Sequence, residues 1–273
     1  MIPDQPEFDR LAGVIARKLG LAVEAYKPRC IRRRIAVRMR ACNAKTFEDY
    51  IAVLERSPEE HQKLADALTI NVTRFFRNPE LWLRMREVVV AELYQSPPRA
   101  VRVWSAGCAS GEEPYSLAML FADVAREAGH PEWVSRLLID ATDIDRVCLE
   151  RARLARYPVA AFSETPETIL HAFTIDDGEG RRVSDTVRVR VRVRRLDILT
   201  EPPPHPPYDL IVCRNVVIYF DRPSQDRLFL LFAGALRPGG FLVLGKVETV
   251  MGPAKAHLEM VDARERIYRR SAA

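Results

Sequence analysis

The sequence predicts an α/β chain: a doubly wound parallel sheet that follows a small all-helical domain and carries a small β insertion. Three observations predict it. Residues 8 to 65 show helical periodicity without a convincing strand. VRVWSAGCASGEEPYSLAMLFADVARE, 101 to 127, reads as strand, glycine turn and helix. Beyond it, apolar strand-like runs alternate with helical stretches. With 273 residues, 48% of them apolar, there is enough chain for one full α/β domain and a satellite.

Phe8, Leu11, Ile15 and Leu19 mark the first helix, and Tyr50, Val53 and Leu54 a later one. No acid occurs between Glu24 and Glu48, whereas Lys27, Arg29, Arg32, Arg33, Arg34, Arg38, Arg40 and Lys45 are all cationic. Ile31, Ile35 and Met39, at i, i+4 and i+8, give this basic helix its apolar side. Residues 1 to 70 hold 13 basic and 10 acidic side chains, a net of +3, so the stripe is local and reads equally well as a solvated face.

A linking helix through Leu81 to Leu93 stops at Gln95-Ser96-Pro97-Pro98, where two prolines set up the first strand. Strand-like runs follow at Leu137 to Thr142, Val187 to Arg195, Leu210 to Cys213 and Phe241 to Val247, with helical stretches at 145 to 155 and 223 to 236. Tyr157 to Thr186, with turn-forming Asp176, Asp177, Gly178 and Gly180, interrupts the alternation as an insertion. Val187, Val189, Val191 and Val193 alternate with Arg188, Arg190, Arg192 and Arg194, the pattern of an edge strand protected by charge. EPPPHPPY, 201 to 208, reads as a stiff connector, and LRPGGFLVLG, 236 to 245, as helix stop, turn and strand.

The turn at Gly107, Ala109, Ser110 and Gly111 lets backbone N–H groups approach a ligand at a helix N-terminus. Glu112 and Glu113 follow at once and would repel a pyrophosphate, which argues against a dinucleotide. A cationic adenosyl ligand such as S-adenosylmethionine, with its sulfonium and ammonium, fits better. Asp143, at the tip of the second strand run, can accept both ribose hydroxyls, and Asp145 can cap the next helix. Arg214, Asn215 and Tyr219 close YDLIVCRNVVIYFD at the same sheet edge.

Other classes are disfavoured. The five cysteines form neither a CxxC pair nor a spaced Cys/His set, and the five histidines are scattered, so neither metal nor disulfide is expected. MIPDQPEFDR is not a cationic start to an apolar run, and no segment reaches the roughly 20 apolar residues of a membrane span, so a cytoplasmic location is expected. A net charge of +5 admits nucleic acid, an anionic membrane or an acidic protein without choosing.

NVTRFFRNPELW, VWSAGCASGEEPYSLAM, ATDID, VRRLDIL and YDLIVCRNVVIYFD together resemble the CheR-type chemoreceptor glutamate methyltransferases, in an ordered match from about Tyr26 to Glu248. The resemblance implies a helical domain at 1 to 70 and a class I, Rossmann-like, S-adenosylmethionine-dependent methyltransferase domain at 71 to 273 with a subdomain inserted near 157 to 189. It also implies methyl transfer to glutamate side chains of receptor helices. Position by position, it places cofactor contacts on Asn71, Thr73 and Arg77, on Ala106 and Glu112, and on Asp143 for the ribose. Asp197 and Ile198 would flank the adenine, and Arg214, Asn215 and Tyr219 would lie near the transferred methyl; Arg77 and Tyr219 are the catalytic candidates. Phe75 and Phe76 read as linker packing.

Two positions depart from the family pattern: Asp197 stands where Asn is usual, and GKVET, 245 to 249, lacks the serine that commonly precedes the glutamate. In some relatives the insertion takes a receptor's C-terminal tail as an added strand. The basic helix at 27 to 40 would guide acidic receptor helices, with no nucleic-acid partner, no membrane insertion and a monomeric state. Two alternatives stay open: a methyltransferase acting on nucleic acid or a small molecule, and a receptor-binding module that keeps the cofactor as a structural ligand. The first lacks an aromatic base-stacking patch, and Arg77, Arg214 and Tyr219 together argue against the second.

Overall fold

The computed structural model describes residues 5–68, 73–95 and 100–272. They fall into two units, Met1–Ile70 with Tyr219–Gln225, and Asn71–Ile218 with Asp226–Ala273.

In the first unit, α1 (Gln5–Leu19) buries Phe8, Leu11, Val14 and Ile15 along one stripe. Helix α2 (Pro28–Ala41) starts on Pro28, which has no N–H to leave unsatisfied, and buries Ile31, Ile35 and Met39. A capping box opens α3 (Phe47–Arg56), where Thr46 and Asp49 each accept the other's backbone N–H. Helix α4 (Pro58–Leu68) brings Glu60 inside, where Arg38 donates to both carboxylate oxygens at 2.9 and 2.7 Å and the Tyr50 hydroxyl donates at 2.7 Å. The segment Tyr219–Gln225, which a linear division of the chain leaves with the sheet domain, belongs to this unit. Its Phe220 forms a bridge with Tyr26, and Lys27 N–H donates to the Tyr219 carbonyl at 2.9 Å.

The second unit opens with α5 (Pro79–Arg84), which continues through a π-helical stretch at Met85–Val90 into α6 (Ala91–Gln95). There follow β1 (Val101–Ala106), α7 (Glu112–Glu127), β2 (Leu137–Asp143) and α8 (Arg146–Leu154). The interruption contains β3 (Arg156–Tyr157), α9 (Glu167–Phe173), β4 (Thr174–Asp176), β5 (Arg181–Val183) and α10 (Asp185–Arg188), its strands forming a separate sheet in the order β3-β5-β4. Then come β6 (Val191–Arg195), β7 (Tyr208–Cys213), α11 (Arg222–Ala235), β8 (Leu236–Leu244), β9 (Leu258–Asp262) and β10 (Ile267–Arg270).

The main sheet runs β6-β2-β1-β7-β8-β10-β9, with β1, β2, β6, β7 and β8 parallel. Helices cover both faces. Val103, Ile139 and Leu210 pack with Leu117 and Phe121 of α7, while on the alternate face Trp104 meets Phe232 of α11, ring centroids 5.5 Å apart.

Two expectations are corrected. The sheet is mixed, because β10 runs antiparallel to both β8 and β9. The strand expected from Val187 begins only at Val191: α10 carries Val187 into the core, and Val189 is left 58% exposed. Strand β6 is nonetheless the sheet edge. No helix among the described residues is long and apolar enough to cross a membrane.

Candidate active site at the carboxyl ends of the parallel strands

The turn after β1 is held from β2. Gly107 and Cys108 donate their N–H groups to the Thr142 carbonyl, and Asp143 receives Ala109 N–H at 2.8 Å on one oxygen and Asp145 N–H at 2.9 Å on the other. Asp145 caps α8 through Val147 N–H and Cys148 N–H. Gly107 has φ +82°, and a Cβ there would stand 2.4 Å from the Val216 side chain, so only glycine fits. Strand β6 delivers Leu196, whose N–H donates to the Asp143 carbonyl, followed by Asp197 and the buried Ile198. The Asp197 carboxylate accepts Leu199 N–H at 2.9 Å and so shapes its own turn.

The linker motif is pinned on the same side of the sheet. Phe75 stacks on Phe162 at 4.2 Å, Phe76 N–H donates to Ser116 Oγ at 3.0 Å, and Asn78 N–H donates to Glu164 at 2.9 Å. Arg214, just past β7, donates Nη2 to the Arg77 carbonyl at 3.0 Å and to Asn78 Oδ1 at 2.8 Å. Its Nη1 faces Glu113 at 3.5 Å, and Glu113 also accepts the Ser105 hydroxyl at 2.9 Å. Phe76, Asn78, Ala109 and Asn215 all adopt positive φ, a left-handed conformation uncommon for residues other than glycine.

The acids divide by direction. Glu112 is buried and accepts the Ser110 hydroxyl at 2.7 Å, whereas Glu113, one residue on and about 100° around the helix, points to Ser105 and Arg214. Glu113 is thus the acid that meets the strand ends. Residue spacing along the chain does not separate the two. Glu248, beyond β8, enters the sequence reading only as the glutamate of GKVET, with no role attached; its carboxylate accepts backbone N–H groups from Asn215, Val216, Ile218 and Gly245. Burial pushes the carboxyls of Glu112, Glu113, Asp143 and Glu248 up from the usual carboxylate range and pulls the Arg214 guanidinium down.

Residues 71–267 match the family described as CheR methyltransferase, SAM binding domain, and residues 6–69 its all-alpha domain. The chain belongs to the CheR methyltransferase family. A chemotaxis protein methyltransferase of Listeria monocytogenes is 34% identical over 255 residues, 93% of this chain and 94% of that protein. One of Klebsiella aerogenes is 34% identical over 249 residues, 88% of this chain and 82% of that protein. Among solved structures, the S-adenosylmethionine-bound amino pentose methyltransferase CalS10 from Micromonospora echinaspora aligns with 60% of this chain and 50% of that one, at 18% identity and a TM-score of 0.35. That likeness is too loose to bear on chemistry.

As a CheR methyltransferase, the chain takes S-adenosylmethionine as its methyl donor, and the site fits that cation. Buried acids outnumber the buried arginine at the strand ends, so a sulfonium and an ammonium would relieve a charge imbalance that burial makes costly. Arg214 Nε is buried with no hydrogen-bond partner among the described residues, a donor available to an anionic ligand group such as a carboxylate. Ala106 and Asp143 end the neighbouring strands β1 and β2, Asp197 and Ile198 follow β6 just after Leu196 meets the Asp143 carbonyl, and Arg214, with Asn215 next to it, reaches the Arg77 carbonyl. Thr73 is half-buried ahead of Phe75. Asn71 lies outside the described residues. Tyr219 belongs to the first unit, where the Arg34 guanidinium lies 4.9 Å from its ring centre.

Proposed function

We propose that this chain esterifies glutamate side chains on chemoreceptor helices in the cytoplasm. S-adenosylmethionine, when bound, supplies a methyl on positively charged sulfur, which a carboxylate oxygen can take as the S–CH3 bond breaks and the sulfur leaves as a neutral thioether. The substrate glutamate, with an ordinary pKa of about 4.3, is already ionised at neutral pH, so the protein needs no general base. Its contribution is alignment, which can be worth up to roughly 7 to 11 kcal/mol.

In this reading Asp143 takes the ribose hydroxyls, and Asp197 and Ile198 border the adenine. Thr73, Arg77, Arg214 and Asn215 hold the methionine end, with Asn71 a further contact. Glu113 joins them, in preference to Glu112, because its carboxylate points to the strand ends. Arg77 fixes a carboxylate through its fork of donors, and Tyr219 presents its hydroxyl to the incoming side chain. Arg77→Ala and Tyr219→Phe should each slow transfer without unfolding the protein.

The observation that supports an acidic helical substrate is the division of labour on α2. Arg38 is committed to Glu60, and Arg34 to the Leu68 carbonyl and the Tyr219 ring. Arg29, Arg33 and Arg40, at i, i+4 and i+11, remain exposed along one stripe. Such a stripe matches a helix rich in glutamate and would speed encounter. The sheet β3-β5-β4 is the part suited to receive a receptor tail as an extra strand. The test is transfer of labelled methyl from S-adenosylmethionine to a receptor cytoplasmic fragment. An alkali-labile product, the mark of a carboxyl ester, supports the reading. Label in nucleic acid, or in an alkali-stable N-methyl product, overturns it.

A further inference from the structure

The loop after β7 is held by one side chain from a different part of the chain. Glu248, 3% exposed, spans four backbone donors: Asn215 at 2.9 Å and Gly245 at 2.7 Å on Oε2, Val216 at 3.0 Å and Ile218 at 3.2 Å on Oε1. Within that grip Asn215 adopts φ +60°, and the Val216 side chain lies against Gly107, so the loop and the turn after β1 are fitted to each other. Gly245 completes the arrangement: a Cβ there would stand 2.8 Å from Glu248 Oε2 and 2.9 Å from Asn215 N.

We propose that Glu248 is the positioning residue of the cofactor site, its carboxylate setting the left-handed turn at Asn215 that presents Arg214 and Asn215 to S-adenosylmethionine. The proposal rests on the reading that those two residues meet the cofactor. A carboxylate is required because all four partners are donors. A glutamine amide can accept on its oxygen, but its NH2 confronts the remaining N–H groups. Glu248 touches no reacting atom; it acts through the backbone of Asn215 and Val216.

The test uses the full chain carrying Glu248→Gln or Gly245→Ala, the second of which leaves the carboxylate intact and crowds it and Asn215 N. Titration calorimetry gives the S-adenosylmethionine Kd well below each variant's unfolding transition, and initial rates give kcat at saturating cofactor. The expected result is a Kd raised about tenfold or more in both variants, with kcat at saturation within about twofold of the parent. A parental Kd in a folded variant, a loss confined to kcat, or failure of both variants to fold overturns the proposal. Arg214→Ala separates this from the cofactor reading: if it loses the cofactor while Glu248→Gln binds normally, the reading stands and the positioning role falls. A parent protein that does not bind S-adenosylmethionine removes both.

Discussion

Glu113 on the first turn of α7 and Arg214 just past β7 face each other 3.5 Å apart, their side chains only 12% and 5% exposed. The pair joins the helix that follows the glycine turn to the strand that carries the CRN segment. Removing one member of a buried pair leaves the other charge uncompensated, which typically costs about 3 to 5 kcal/mol. Arg214→Ala should therefore lower the urea midpoint as well as cofactor affinity. Arg214→Ala combined with Glu113→Ala should cost clearly less than the two single changes summed. Strict additivity in denaturation would show that the two charges do not act as a pair.

Cofactor binding should release protons in mildly acid solution. Burial holds the Glu113 and Asp143 carboxyls above their ordinary range, so the free protein keeps their protons to higher pH than exposed carboxyls would. A neighbouring cation favours the ionised form and lowers both pKa values, which expels those protons. Affinity then rises with pH while these carboxyls titrate and levels off once both are ionised in the free protein. Calorimetry in two buffers of different ionisation enthalpy reads the proton count directly, and identical heats in both would contradict the charge assignment.

The helical unit carries the opposite sign. For Glu60, burial pushes the carboxyl up, but hydrogen bonds from Arg38 and Tyr50 outweigh it and hold the group below the usual carboxylate range. Its stabilisation is present above the unfolded pKa and is lost as pH falls through the lower folded value. Glu60→Gln should lower Tm at neutral pH and narrow the difference from the parent as the solution is acidified; a constant difference at every pH would refute the linkage.

The arginines of α2 should separate into two classes. Arg29→Ala, Arg33→Ala and Arg40→Ala should each raise KM for a receptor fragment by about two- to fivefold, an effect that fades in high salt, and leave Tm unchanged. Arg38→Ala should instead lower Tm, because it strips the partner from buried Glu60. Equal behaviour of Arg38 and Arg33 in both assays would erase the distinction.

The strand, turn and helix at 101 to 127 were legible because their signals are local: alternate apolar residues, small residues at the bend, and apolar positions returning at helical spacing. The hairpin β9 and β10 was not, since Glu259, Asp262, Arg269 and Arg270 break up its apolar content. Valine and arginine alternate without interruption from 187 to 194, and nothing in a period of two reveals that Val187 is drawn into the core by a short helix. Asp143 could be found because a strand tip is readable. Glu248 could not, because its partners are backbone N–H groups that leave no mark on residue identity. Glu112 and Glu113 differ in direction around α7, with Glu112 accepting from Ser110 and Glu113 from Ser105, a difference that adjacent identical residues do not show in sequence.

Titration of the purified chain with S-adenosylmethionine, alongside Asp143→Asn, tests the central claim most directly, namely that the acids at the strand ends hold the methyl donor. One saturable site in the parent is expected, with affinity lost in Asp143→Asn while its circular dichroism stays native. A parent that gives no binding heat, or a variant that binds as the parent does, would contradict the account.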